Sequence, residues 1–80
     1  NTSIKLSISL ILNSNDTKKI FKLENVLNSI DDIRFFSIKK FSLNKTIYEI
    51  IYNTDPKKLK KQFLTNGFSI VVDNGYWVVQ

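Results

Sequence analysis

SIKLSISLILNSNDTKKIFKLENVLNS, residues 3–29, carries two hydrophobic periods in succession, and the switch between them decides the fold. In Ser3 to Leu12, Ile4, Leu6, Ile8, Leu10 and Leu12 fall on one face, and Ser3, Lys5, Ser7 and Ser9 on the other. This is the alternation of a half-buried strand. Asn13-Ser14-Asn15-Asp16 follows as a polar turn with several side chains able to cap a helix. Beyond it Ile20, Leu23, Leu27 and Ile30 recur at helical spacing, which predicts a helix over 17–29 with its apolar stripe directed at a sheet.

Downstream, residues 33–43 are rich in β-branched and aromatic side chains, as a strand requires. Their alternation changes phase between Phe35-Phe36 and Phe41, which predicts a bulge, and all three phenylalanines read as core. Asn44-Lys45 turns the chain into a strand over 46–53, where Ile47, Tyr48, Ile50, Ile51 and Tyr52 occupy both faces and leave the inner one open. Asp55-Pro56 starts a second helix, because aspartate accepts from orphan amides and proline has none to orphan. Leu59, Phe63 and Leu64 make its inner stripe, and Asn66-Gly67 stops it in a left-handed conformation. Residues 68–72 and 76–80 flank Asp73-Asn74-Gly75, and Asn-Gly is the strongest short signal for a tight hairpin, so the last strand is doubled back. Trp77, beside Tyr76, packs across it.

The resulting order, βαββαβ, predicts an α+β, ferredoxin-like sandwich: an antiparallel sheet with two helices on one face, and Leu10, Leu27 and Leu59 buried between them. With 42% hydrophobic and 24% charged residues, the chain has the composition of a globular domain rather than a disordered tract. Residues 1–80 read as one domain, and the start at Asn1, without methionine or leader, reads as excision from a longer chain. No apolar run approaches the roughly 20 residues a membrane-spanning helix needs.

Chemistry is limited by what the chain lacks. It contains no cysteine, no histidine and one arginine, Arg34. An acylphosphatase of this topology needs an arginine in the loop after the first strand, which here is Asn13-Ser14-Asn15-Asp16. A metal chaperone needs a Cys-x-x-Cys pair there, and a soft metal finds neither thiolate nor imidazole. Regulatory amino-acid-binding domains use glycines where backbone approaches ligand, whereas Gly67 and Gly75 fall at a helix stop and a turn. Asp31-Asp32 reads as a solvated turn and Glu49 as a strand carboxylate facing water or a lysine, so no catalytic residue, metal ligand or cofactor is expected.

Two features bear on binding. Lysines cluster on the helices, Lys18, Lys19 and Lys22 on the first and Lys57, Lys58, Lys60 and Lys61 on the second. Lys18, Lys22, Lys57, Lys58 and Lys61 are the candidate basic surface of a chain with net charge +5. Such a surface attracts nucleic acid or anionic lipid without sequence preference. Tyr48 and Tyr52, four apart, are the only third-strand aromatics available to stack bases, as RNA-recognition domains of this topology do.

The alternating first strand, Leu27-x-x-Ile30 running into Ile33, the Tyr48 to Tyr52 strand, the Leu59 to Leu64 helix and the terminal Gly75-Tyr76-Trp77-Val78-Val79 together carry a resemblance. Over nearly its whole length the chain resembles the C-terminal module of a family of uncharacterised bacterial envelope-associated proteins of unknown function. The resemblance implies a signal-bearing parent in the periplasm or envelope and a structural or interaction role, with no active-site residues to carry over. The chain departs from the pattern at Asp31-Asp32, which replaces a glycine before the second strand.

The expectation is a non-catalytic structural or protein-interaction module of a larger bacterial protein, with a protein partner. The alternative is a single-stranded RNA-binding domain of RNA-recognition type. The free face of the sheet discriminates: aromatics flanked by lysines favour RNA, serines and aliphatics favour protein.

Overall fold

The computed structural model describes residues 5–14 and 16–79. Its elements are β1 (Leu6–Leu12), α1 (Thr17–Ser29), β2 (Ile33–Ser42), β3 (Lys45–Tyr52), α2 (Pro56–Thr65), β4 (Ile70–Asp73) and β5 (Tyr76–Val79). Ser3 and Ile4, assigned to the first strand, lie outside the described residues.

The helix ends form as their residues dictate. Asp16 caps α1 by accepting from the Lys18 amide at 3.0 Å, and Asp55 caps α2 by accepting from the Lys57 amide at 2.9 Å, with Pro56 in the first turn. At the end of α2 the Phe68 amide donates to the Phe63 carbonyl and the Gly67 amide to Leu64, the pair of bonds of a Schellman motif. That motif needs a left-handed residue, supplied by Gly67 at φ +93°. It also turns Phe68 back into the core, so β4 starts at Ile70 rather than at Phe68.

The five strands form one mixed sheet in the order β2-β3-β1-β5-β4. Both helices pack on one face of it, where Leu23, Val26 and Leu27 of α1 and Leu59 and Phe63 of α2 share a core with Leu10, Leu12, Tyr48, Ile50, Trp77 and Val79. Thr46 is also fully buried there, and its hydroxyl is satisfied by donating to the Ser14 carbonyl at 3.1 Å.

The expectation of an antiparallel sheet is corrected at one pair. The Asn74-Gly75 hairpin forms, with both turn residues at positive φ, but β5 rather than β4 lies beside β1, and the two run parallel. Burial is the physical reason. β5 presents Trp77 and Val79 to the helices, with the Trp77 ring 6.1 Å from that of Tyr52, whereas β4 offers the shorter Ile70 and the exposed Val72 on that face. The larger apolar strand takes the central place, and its polarity follows.

Further corrections concern side chains and turns. Phe35 and Phe41 are each 59% exposed, and only Phe36 leans on the core, its ring tilted against Tyr48 at 6.3 Å. The bulge arises as expected, between Ile38 and Lys40, but a second one lies between Ile33 and Phe35. These phase changes turn Phe35 to the face the helices leave open. Leu64 is exposed rather than part of the α2 stripe. The β2–β3 turn is Leu43-Asn44, one residue earlier than the expected Asn44-Lys45.

Tyr48 ties the sheet to α1: its hydroxyl donates to Glu24 Oε2 at 3.0 Å. Burial first, then that bond and the Glu24 charge, push the Tyr48 hydroxyl far above the ordinary tyrosine value. Burial, then the charge of Asp55, raises Tyr52 as well. A raised pKa means that the folded state holds the proton while the unfolded chain releases it. The associated stability is complete below the unfolded value of about 10 and is lost as pH climbs from there toward the folded-state value. Tyr48→Phe should cost about 0.5–1.5 kcal/mol at neutral pH through the lost bond. It should also flatten the alkaline decline in melting temperature above about pH 10, leaving the smaller Tyr52 contribution. Melts between neutral and strongly alkaline pH check both, and an unchanged alkaline slope would show that Tyr48 ionises freely.

Candidate functional site

The pleat sends alternate side chains of each strand away from the helices, and no described residue covers that second face. One row crosses all five strands in register: Lys40, Ile47, Ile11, Val78 and Val71. Four adjacent β-branched side chains make its middle and far end. A second row sets Glu49 between Ser37 and Ser9, with Tyr76 and Asp73 continuing across β5 and β4. Phe35, Ile51 and Ser7 form a third. The face is thus built of serines and aliphatics, with Lys40, two carboxylates and two aromatics.

The residues singled out for base stacking are elsewhere. Tyr48 and Tyr52 lie with Thr46 and Ile50 on the helix side of β3, 0% and 4% exposed. The period-two pattern of β3 was apolar on both faces, so nothing in the strand itself distinguished them. The open face has Phe35 on β2 and Tyr76 on β5 instead, with β3 and β1 between them. Three strand spacings separate those rings by about 14 Å across the sheet, where stacking on neighbouring strands needs about 5 Å. Tyr76 does meet lysines, in a hollow of about 270 Å³ lined by Ser9, Lys39, Lys40, Ile47 and Tyr76.

The helix lysines are only partly free. Lys58 pairs with Asp32 at 3.7 Å, and Gln62 Nε2 donates to the same carboxylate oxygen at 3.3 Å. Lys22 lies over the Phe68 ring, 5.7 Å from its centroid, and Lys60 over Trp77 at 5.5 Å. Lys22 joins Lys19 beside a hollow of about 430 Å³ at the end of β1, and Lys57 and Lys61 flank another of about 270 Å³ below Leu64. Lys18 is exposed in the first turn of α1. Their stems cover apolar surface and their charges are spread over separate places.

Asp31 and Asp32 form a turn between α1 and β2, where Asp32 joins α2 through Lys58 and Gln62, and its carbonyl accepts from the Asn53 amide at 3.0 Å. Glu49 stands half-buried between two serines. Among the described residues no three of His, Cys, Asp or Glu gather, and no helix is long and apolar enough to cross a membrane. No protein-family model matches the chain, and no curated protein or solved structure matches it.

Proposed function

We propose that the chain is a non-catalytic module that docks another protein surface through the open face of its sheet. The observation that carries this reading is the row Ile47, Ile11, Val78 and Val71, a continuous aliphatic band across four strands on the face opposite the helices. Apolar surface of this continuity is stabilised by cover, and flanking serines supply hydrogen bonds at a rim. Its frame is read as a ferredoxin-like split βαβ arrangement, β2-β3-β1, with a hairpin added at one edge. The parent is proposed to be an envelope-associated bacterial protein, on the pattern of apolar positions and the terminal Gly75-Tyr76-Trp77.

RNA binding is disfavoured by the burial of Tyr48 and Tyr52, and by Glu49 and Asp73 along the row that carries Tyr76. A photo-reactive phenylalanine analogue at Ile47, set against the same group at the exposed Asn25, tests the proposal within the full-length parent. Protein adducts confined to position 47 are expected. Fluorescence anisotropy with short RNAs should give affinities weaker than about 10 µM at physiological salt, falling steeply as salt rises. Submicromolar affinity for one sequence, lost in Tyr76→Ala or Phe35→Ser but retained in Lys57→Ala and Lys61→Ala, would replace the protein reading by the RNA one.

A further inference from the structure

Among the described residues the β2 strand is an edge, paired with β3 on one side only, and its outer row of backbone N–H and C=O groups faces no other strand. Exposed apolar residues lie on both of its faces: Phe35 on the open face, Ile38 and Phe41 on the helix side. Phe21 continues the helix-side patch, because it precedes by one turn Glu24, the residue bonded to Tyr48, which is itself the register partner of Ile38. A groove of about 230 Å³ opens at the start of the strand, lined by Leu27, Asn28, Ile33, Arg34, Phe35 and Phe36. A strand added here covers both faces at once, since its own side chains alternate between them.

Charge selects the occupant. The strand carries Arg34, Lys39 and Lys40 and no carboxylate. Arg34 and Lys39 are the extra residues of the two bulges, so they bracket the regular stretch Phe35–Ile38. A second copy pairing antiparallel about Ser37 sets Arg34 against Lys40, and pairing about the Phe36–Ser37 bond sets it against Lys39. Either register opposes like charges, which disfavours self-pairing in both. The same two cations match a segment with an acidic residue at each end of a short apolar run.

We propose that β2 is an acceptor edge for an extended segment of a partner protein, apolar over about four residues and acidic at both ends, bound by strand addition at Phe35–Ile38. The β2 backbone edge lies outside the aliphatic band Ile47, Ile11, Val78 and Val71 of the open face, and the test reads the two separately. The 80-residue chain, ¹⁵N-labelled, is titrated with acetyl-Glu-Val-Ile-Val-Val-Glu-amide and with its counterpart carrying lysine at both ends. Saturable shifts at the Phe35–Ile38 amides, with slowed hydrogen exchange there, are expected for the acidic peptide. Its affinity should exceed that of the lysine peptide by about tenfold or more, and Arg34→Glu with Lys39→Glu should reverse the preference. Should the double variant fail to fold, the two peptides on the wild-type chain still decide.

Four outcomes would overturn the proposal. They are no saturation by either peptide up to about 1 mM, equal affinity for both, shifts centred on Ile11, Ile47 and Val78 instead, or a wild-type dimer held through β2. The third outcome would locate peptide binding on the open face, and so leave the docking proposal standing while removing this one.

Discussion

Trp77→Ala should lower the stability of the domain by about 3–5 kcal/mol, while Val72→Ala changes it by less than about 0.5 kcal/mol. The two residues are register partners on the helix side of the terminal hairpin, but Trp77 is 4% exposed and Val72 51%. Trp77 packs on Tyr52 and lies beneath Lys60, so truncation leaves a cavity that the surrounding strands and α2 cannot close. An 80-residue chain has a total stability of about 4–12 kcal/mol, so the loss approaches global unfolding. Urea denaturation followed by circular dichroism measures it. The opposite ranking, a large loss at Val72 and a small one at Trp77, would place β4 rather than β5 beside β1.

Leu27→Ala should cost about 2–5 kcal/mol for a related reason. Leu27 is in the middle of the α1 stripe, 1% exposed, and touches a core drawn from both helices and three central strands. Leu64→Ala is its control, since that leucine points away from the sheet. Thermal melts of the two variants should separate widely. An unchanged melting temperature for Leu27→Ala would mean that α1 presents a different stripe to the sheet.

Where an element's residues settle its own conformation, sequence and structure agree closely. The alternation of Leu6, Ile8, Leu10 and Leu12, the Asp16 and Asp55 caps, the Gly67 stop and the Asn74-Gly75 turn all act within a few residues, through φ preferences and orphan amides. The helix at Thr17–Ser29 accordingly has the bounds its periodicity predicts. Side-chain fates in β2 and β3 were less legible. In β3 both faces are apolar, and only the docking of α1 and α2 distinguishes Tyr48 and Tyr52, inside, from Ile47 and Ile51, outside. In β2 two bulges shift the phase, so Phe35 turns to the open face and Phe41 stands clear of the helices. The third-strand aromatics that the RNA reading needs on the open face are therefore on the inner one.

The number, kind and order of the elements, the two helix caps, the hairpin, and a chemistry without thiol or imidazole are all written in the residues of the chain. Tertiary structure alone decided which strand of the hairpin sits beside β1, which face of β3 is inner, and which residues of β2 are left at an edge between two basic bulges. The physical reason is range. Caps, turns and periods are short-range preferences written in adjacent residues, whereas strand order and face are set by competition among distant apolar surfaces for one small core. There Trp77, Tyr48 and Tyr52 prevail by the area they bury.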